Sequence, residues 1–287
     1  MANISYIDGV YCNIENAKIS INDRGYHFGD SVYEVIFYNN GTFYDYDGHI
    51  KRLYNSLKLI NIKFHITKQQ LKIIIKNLFR LNKVNFGSIY IQVSRGVADR
   101  NHSYFKLNTK PILTMIVSKK KNNFSEDIQG VKAITVLDNR WSRPDIKTTQ
   151  LLPNVLAKTF ANEKNAYEGI FIDYKGYVTE GSSSNIWIIN HNNEILTREI
   201  DGKILSGITR KTIAQFAKEN NFKLLEKKFK KDELLKSKEV FLTSASSFVT
   251  PIIEIDNIKI NNGVIGKTSI ELRNLYFQNF WICNING

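Results

Sequence analysis

Two turn dipeptides near the start of the chain constrain its fold more than any other local feature. Asp8 and Gly9 separate the apolar runs I-S-Y-I and V-Y-C, while Asn40 and Gly41 separate V-I-F-Y from T-F-Y-D-Y. Both dipeptides favour the positive φ angles that a two-residue hairpin turn requires. We therefore predict two β-hairpins in the N-terminal part of the chain.

Helical and strand-like patterns alternate through the rest of the sequence. Asp47 and Thr67 are predicted to cap two helices that carry apolar residues along one stripe. Pro153 suits the first turn of a third helix, a fourth is predicted after Gly207 through about residue 220, and a last one over about 267–280. The predicted strands are residues 88–94, 112–118 and 131–137, with the segments G-I-F-I-D, S-N-I-W-I-I-N and E-V-F-L-T. Helices mixed with hairpin-linked strands predict an α/β protein of mixed α+β type.

The length and composition favour two domains with a sizeable core. The chain has 287 residues, of which 43% are hydrophobic, which suits two domains or one large one. Residues 119–127 are polar and show no periodicity, so we predict that they link two domains. The linker would separate a smaller N-terminal α/β domain at 1–118 from a larger C-terminal α/β domain at 128–287.

Signals for export, membrane insertion and disulfides are missing from the sequence. No apolar run approaches the roughly 20 residues that a membrane helix needs, and the N-terminus lacks the basic and apolar parts of a signal peptide. Cys12 and Cys283 lie near opposite ends of the chain and show no metal-type spacing. We expect a cytoplasmic protein with no metal site and no membrane partner.

The net charge of +13 raises the question of a nucleic-acid partner. The basic residues are dispersed, and the densest runs, at 119–121 and 226–231, do not interleave aromatic residues as a base-stacking platform would. No phosphate-binding loop or dinucleotide fingerprint opens a helix. A solvated basic surface is favoured over nucleic-acid binding, and a basic binding protein without enzymatic activity remains the alternative.

Lys147 stands apart from the lysine-rich runs. It follows a Pro-Asp turn and precedes Leu151 and Leu152. A lysine acts as a nucleophile when its amine is neutral, and burial or neighbouring positive charge lowers its pKa. Arg140 and Arg143 are close in sequence, and the two leucines offer burial. Lys147 is therefore a candidate covalent catalyst, and an ordinary loop lysine is the alternative.

Two stretches in the C-terminal half carry groups suited to a ligand. Glu180 lies at a strand end beside a Gly-Ser turn, where its carboxylate can pair with a ligand cation or a protonated ring nitrogen. Ile208 and Thr209 open a helix whose free N–H groups can bind phosphate. The alternatives are a hairpin turn whose serines cap the backbone, and ordinary helix capping.

Two stretches in the N-terminal half are also dense in polar and aromatic groups. Arg100 and His102 are two residues apart, so in an extended loop both would point the same way and could clamp a carboxylate. The segment D-R-G-Y-H-F-G-D precedes a strand that begins near Tyr33, and it indicates only a shaped loop. A polar surface loop and a half-buried tyrosine are the alternatives.

Five motifs occur together and in one order along nearly the whole chain. They are R-G-Y-x-F-G-D-x-V-Y-E, H-I-x-R-L-Y, D-I-K-x-x-x-L-L, T-E-G-S-S-S-N and G-I-T-R. In this order they resemble the fold-type IV pyridoxal-phosphate enzymes, which include D-amino-acid aminotransferases, branched-chain aminotransferases and aminodeoxychorismate lyases. The resemblance implies a two-domain fold of that type, with pyridoxal 5'-phosphate at the domain interface.

The resemblance also implies roles in holding this cofactor. Lys147 matches the Schiff-base lysine, and Glu180 matches the carboxylate that keeps the pyridine nitrogen protonated. The phosphate ligands implied by the resemblance are Arg52, Ile208 and Thr209, with a second loop at Ser244 and Ala245. Ala245 stands where the D-amino-acid enzymes commonly have a hydroxyl group.

The motif R-G-x-x-x-R-x-H discriminates among the subfamilies. Tyr33, Arg100 and His102 resemble the carboxylate trap of the D-amino-acid aminotransferases, in which the Arg and His reach in from the partner subunit of a homodimer. This resemblance implies transfer of an amino group between a D-amino acid such as D-alanine and a 2-oxo acid such as 2-oxoglutarate. A branched-chain aminotransferase and an aminodeoxychorismate lyase are the alternatives.

Overall fold

The structure, a computed structural model, describes residues 3–121 and 128–282, with side chains as far as residue 279. Contacts divide these residues into two units. The first contains residues up to 121 together with Ile146–Gln150, and the second contains the remainder. Of the predicted linker, Lys119 ends a strand, whereas 122–127 lie outside the described residues, as does Cys283.

The first unit contains an antiparallel sheet with helices packed against it. Its helices are α1 (Arg24–Phe28), α2 (Tyr46–Leu59) and α3 (Lys68–Leu81). Its strands are β1 (Ile4–Ile7), β2 (Val10–Asn13), β3 (Ser31–Asn39), β4 (Thr42–Phe43), β5 (Phe86–Ser94) and β6 (Ile112–Lys119). The described strands form a six-stranded sheet in the order β2-β1-β6-β5-β3-β4. Its core combines aliphatic residues, among them Leu53, Leu57, Leu71, Ile75, Ile89, Ile91, Leu113 and Met115, with the aromatic residues Tyr6, Phe43, Tyr46 and Phe79.

Both predicted hairpins are confirmed in this unit. β1 pairs with β2 across Asp8 and Gly9, whose φ angles are 41° and 106°. β3 pairs with β4 across Asn40 and Gly41, at 42° and 99°. These positive angles are the ones for which Asp-Gly and Asn-Gly turns are selected.

Two local predictions in the first unit need correction. The N-cap of α2 is Asp45, in the left-handed region, while Asp47 lies in the first helical turn. The segment after Asp23 is the short helix α1, which ends at Phe28 and is capped by Gly29 with φ of 62°. The predicted cap of α3 is confirmed, because Thr67 and Gln70 form a reciprocal capping box.

A short segment around Lys147 belongs to the first unit through backbone pairing. Thr148 forms an antiparallel bridge with Val32 of β3. The Tyr33 N–H donates to the Lys147 carbonyl at 3.0 Å, and the Thr149 N–H donates to the Ser31 carbonyl at 3.1 Å. The start of β3 thereby sets the position of Lys147 along the strand direction.

The second unit contains a larger mixed sheet. Its helices are α4 (Leu152–Glu163), α5 (Ile208–Glu219), α6 (Lys231–Leu235) and α7 (Lys267–Ile282). Its strands are β7 (Val131–Leu137), β8 (Glu168–Ile172), β9 (Val178–Gly181), β10 (Asn185–Ile189), β11 (Ile195–Thr197), β12 (Leu224–Glu226), β13 (Glu239–Ser244), β14 (Phe248–Ile255) and β15 (Ile258–Lys259). In the described part of the chain they form one nine-stranded sheet, ordered β12-β11-β10-β13-β14-β7-β8-β9 with β15 on β14.

Parallel and antiparallel pairs coexist in this sheet. β7 is parallel to both β8 and β14, whereas β13 is antiparallel to β10 and β14. The predicted mixed α/β class is confirmed. None of the helices described at 3–121 and 128–282 has the length and apolarity to cross a bilayer.

Candidate active site

Lys147 and Tyr33, two of the predicted site residues, are brought together in the first unit. The Lys147 Nζ lies 4.2 Å from the centroid of the Tyr33 ring, which is within cation–π distance. The Tyr33 ring stacks on Tyr90 at 5.6 Å between centroids. Burial, with a smaller contribution from Tyr33, raises the pKa of Tyr90 to about 12. The lysine side chain therefore lies over an aromatic surface.

A chain of polar side chains fastens the Lys147 segment to the sheet. The Tyr90 hydroxyl donates to Gln92 at 2.8 Å, and the Gln92 amide donates to Ser31 Oγ at 3.3 Å. Ser31 Oγ is in turn hydrogen-bonded to Thr149 Oγ1. A fixed lysine has less conformational freedom to lose when it reacts.

Arg52, the predicted phosphate ligand, is already engaged by a buried carboxylate. Its Nε and Nη2 donate to Glu34 at 2.6 and 2.9 Å, and His49 Nδ1 lies 2.7 Å from Glu34 Oε2. Burial raises the pKa of Glu34, but the opposing effects of Arg52 and His49 outweigh it and bring the pKa to about 2. Glu34 was not predicted from the sequence, and its pairing holds Arg52 in one orientation.

We expect the Glu34→Gln substitution to destabilise the protein by roughly 3–5 kcal/mol at pH 7, because it leaves the partly buried Arg52 without its carboxylate. The folded-state pKa lies below the ordinary value of 4.5, so this stabilisation is present above pH 4.5 and is lost as the pH falls towards 2. Urea denaturation at pH 7 and pH 3 measures both effects.

The matched control is Glu15→Gln, at an exposed position of the same unit. It should leave the free energy of unfolding within about 0.5 kcal/mol of the wild type. A Glu34→Gln protein as stable as this control at pH 7 would contradict the assignment.

Arg100 and His102 lie together on one aromatic ring. The Arg100 guanidinium carbon is 5.4 Å from the Phe28 centroid, and the His102 ring is also 5.4 Å from it. Both residues are exposed. Within the described part of this single chain, neither has a hydrogen bond or ring contact with Tyr33. One chain therefore brings two members of the predicted trap together but does not join them to the third.

Glu180, in the second unit, is buried and surrounded by donors. Arg140 donates to its Oε1, while Asn185 Nδ2 and the Leu205 N–H donate to its Oε2 at 3.2 and 3.0 Å. Burial raises the pKa of Glu180, and Arg140 acts against this rise. The donors fix the carboxylate in one orientation at the end of β9, as a group that must face a cationic ligand requires.

The structure corrects the role expected of the arginines near Lys147. Arg140 donates to Asp138 through Nε and Nη2 at 2.9 and 2.7 Å, in addition to Glu180. Arg143 pairs with Asp145 at 2.8 Å. Because carboxylates pair with both guanidinium groups, neither is left as the uncompensated positive charge that its place in the sequence led us to expect.

The start of α5 offers a cradle for an anion. Thr209 Oγ1 is buried, and no partner for it is found among the described residues. Gly207 precedes the helix, and a Cβ there would lie 1.9 Å from Asn185 Oδ1, so any larger residue would displace the Asn185 side chain. Helix N–H groups with an unsatisfied hydroxyl beside them are typical of a phosphate site.

The loop after β13 lies near the start of β10, because β13 pairs with β10, the strand that begins at Asn185. Asn185 is registered opposite Thr243, and β13 ends one residue later at Ser244. Ser244 Oγ accepts hydrogen bonds from the backbone N–H groups of Ser246 and Ser247 at 3.4 and 3.1 Å. Ala245 is partly exposed within this turn. The second unit therefore groups Glu180, the α5 start and the Ser244 loop around Asn185.

Sequence reasoning missed several residues that hold the predicted site residues of each unit in place. Asn185 lies inside the motif T-E-G-S-S-S-N and Glu34 inside D-x-V-Y-E, so motif membership was the available signal for both. Phe28 lies inside R-G-Y-x-F-G-D, which sequence periodicity treated as a loop. Their partners could not be identified, because those partners lie elsewhere in the sequence.

Comparison with known proteins gives a consistent assignment. The family model for amino-transferase class IV matches residues 31–255 of the chain. The chain belongs to the class IV aminotransferase family, and the predicted family, fold type and transaminase activity are confirmed.

Named relatives cover most of the chain. A D-alanine aminotransferase of Staphylococcus aureus (strain N315) is 38% identical over 269 residues, covering 93% of this chain and 94% of the relative. A D-alanine aminotransferase of Bacillus licheniformis is 42% identical over 248 residues, covering 86% and 87%.

Solved structures share the fold. A branched-chain amino acid aminotransferase of T.th., in a structure with pyridoxamine 5'-phosphate, superposes with a TM-score of 0.88 at 25% identity, covering 97% of this chain and 94% of that one. The Escherichia coli branched-chain enzyme has a TM-score of 0.86 at 22% identity, covering 98% and 95%, and shows the fold alone.

Proposed function

We propose that this protein is a D-amino-acid aminotransferase that uses pyridoxal 5'-phosphate and moves an amino group between a D-amino acid such as D-alanine and a 2-oxo acid such as 2-oxoglutarate. The observation that carries the proposal is the position of Lys147, held by β3 with its Nζ 4.2 Å from the Tyr33 ring. The D-alanine aminotransferase relatives support the choice of substrate.

The residues fit a phosphate-bearing pyridine cofactor. The buried Thr209 hydroxyl without a partner among the described residues, the glycine start of α5 and the Ser244 turn suit the phosphate. The Glu180 carboxylate suits a protonated ring nitrogen. Pyridoxal 5'-phosphate, when bound, supplies an aldehyde that links to amines and a ring that accepts electrons from the substrate Cα.

The protein side chains then have distinct duties. Lys147 Nζ would hold the cofactor through a covalent bond and, once released, would act first as the base that removes the proton from the substrate Cα and then as the acid that donates it to the cofactor. Glu180 keeps the ring nitrogen protonated, and its own donors prevent it from turning away. Ile208, Thr209, Ser244 and Ala245 hold the phosphate together with Arg52, whose orientation Glu34 sets. For Ala245, only a backbone contact is available.

Tyr33, Arg100 and His102 bind the substrate carboxylate, and we place the last two across a homodimer interface. This placement is supported by the single chain: within its described residues, Tyr33 has no hydrogen bond or ring contact with Arg100 or His102. A cytoplasmic location belongs to the same proposal, because two cysteines far apart in sequence suit a reducing compartment.

Substrate assays test the function directly. The purified protein with added cofactor should form pyruvate and D-glutamate from D-alanine and 2-oxoglutarate, and should not act on L-leucine. Turnover of L-leucine without D-alanine would favour a branched-chain aminotransferase, whose solved structures share this fold. Pyruvate release from aminodeoxychorismate would favour a lyase. No turnover and a salt-dependent affinity for nucleic acid would favour the basic binding protein.

We expect Arg100→Gln to raise the KM for D-alanine by about 10- to 100-fold, because it removes a charge-assisted hydrogen bond to the carboxylate. Cofactor affinity should not change, because Arg100 has no role in cofactor binding. Steady-state kinetics and a cofactor titration measure the two. Arg80→Gln, at an exposed position of α3, is the control. An unchanged KM would remove Arg100 from the trap.

A further inference from the structure

The loop that carries Arg100 and His102 is irregular, but one buried side chain holds it in place. Arg24 is 2% exposed, and its guanidinium donates to two loop carbonyls: Nη1 to Asn101, and Nη2 to His102 at 3.1 Å. Within the described residues, no other hydrogen bond joins the backbone of residues 99–103 to the rest of the first unit. Arg24 thus anchors the backbone between and beside the two proposed substrate ligands.

Arg24 is itself fixed on its remaining sides. Its Nε donates to Asp30 Oδ2 at 2.8 Å, and its backbone N–H donates to the Gly96 carbonyl at 3.0 Å. Asp30 also accepts two hydrogen bonds from the Arg95 guanidinium, at 2.7 and 2.9 Å. Because Asp30 cannot move without breaking these bonds, it holds Arg24 in a single orientation.

The same short helix supports the ligand side chains as well as their backbone. Arg24 begins α1 and Phe28 ends it. The Phe28 ring lies 4.8 Å from the Arg24 guanidinium carbon and 5.4 Å from both Arg100 and His102. Exposed arginine and histidine side chains ordinarily sample several rotamers. Contact with the Phe28 ring restricts the rotamers of both Arg100 and His102.

We propose that Arg24, acting with Phe28, is a positioning residue that presents Arg100 and His102 to the substrate carboxylate. This inference rests on the proposed function, because it takes Arg100 and His102 as substrate ligands. The shape of the guanidinium is essential. Its forked donors reach Asp30 and two carbonyls at once, whereas the single ammonium of lysine cannot span all three.

The matched pair for the test is Arg24→Lys and Arg80→Lys, the second at an exposed position of α3. Both keep the charge. We expect Arg24→Lys to raise the KM for D-alanine about tenfold while kcat stays within about twofold, because carboxylate binding is weakened without touching the chemical step. Arg80→Lys should match the wild type.

A carboxylate-free amine separates positioning from general damage. D-alaninol has the amine and methyl group of D-alanine but no carboxylate, so its kcat/KM should be the same in the wild type and Arg24→Lys. A readout without catalysis is backbone hydrogen exchange in residues 99–103, which should become faster in Arg24→Lys as the loop loosens.

The outcomes distinguish this inference from the proposed function. A wild type that does not transaminate D-alanine overturns both. A wild type that does, with an unchanged KM in Arg24→Lys or equal losses on D-alanine and D-alaninol, overturns the inference alone. If Arg24→Lys does not fold, Phe28→Leu replaces it at a partly exposed position. Phe28→Leu should raise the KM for D-alanine and spare D-alaninol, and equal effects on both would overturn the inference.

Discussion

Replacing Lys147 by alanine should lower kcat for the transamination of D-alanine by about four orders of magnitude. Two contributions are lost together, because in the proposed function the same Nζ attaches the cofactor and transfers the Cα proton. The fold should survive, since the segment is held by backbone bonds from Tyr33 and Thr149 that alanine retains. Steady-state kinetics measure the loss, and circular dichroism checks the fold.

A second measurement locates the covalent link without relying on activity. Borohydride treatment of the wild type loaded with cofactor should leave the tryptic peptide that contains Lys147 modified by the cofactor, and mass spectrometry identifies it. Lys63→Ala, at an exposed lysine of the same unit, is the matched control and should keep wild-type activity. A modified lysine elsewhere, or activity above about 10% in Lys147→Ala, would show that Lys147 is not the covalent residue.

The Glu180→Gln substitution should lower kcat by about 10²- to 10³-fold while the cofactor remains bound. An amide cannot hold a proton on the ring nitrogen, so electrostatic stabilisation of the developing negative charge is lost. The change leaves the proposed phosphate site at α5 and the proposed attachment at Lys147 untouched. Cofactor affinity should therefore fall much less than kcat.

Glu163→Gln, at an exposed position of α4 in the same unit, is the control for Glu180→Gln. Single-turnover kinetics with D-alanine isolate the step at Cα from product release. The role of Glu180 would be contradicted by a Glu180→Gln protein whose single-turnover rate equals that of the control. A protein that only lost cofactor would indicate a structural role for the carboxylate.

Local sequence patterns anticipated the elements that present these residues. The hairpin turns at Asp8 and Asn40 and the Thr67 cap occur where predicted, because turn and cap preferences depend on a few neighbouring residues. The predicted helices at Pro153 and after Gly207 are α4 and α5. The site residues were singled out by motifs, and their catalytic roles stay predictions until the substitutions are made.

Other features depended on partners that no local pattern names. Arg140 was placed near Lys147 by sequence distance, but its guanidinium pairs with Asp138 and Glu180. Arg52 was assigned to phosphate, but its orientation is set by Glu34, which lies 18 residues away. A buried cation must find a counter-charge wherever the fold provides one, so its partner cannot be deduced from its neighbours.

The sequence by itself determined the turns, the caps, the apolar stripes and the family motifs of this protein, since each is a property of residues close together in the chain. Only the tertiary structure decided that the Lys147 segment pairs with the start of β3, and that Arg24 holds the carbonyl of Asn101, 77 residues away. Such contacts join residues that only the folded backbone brings together. They form because a buried polar group without a hydrogen-bond partner costs free energy.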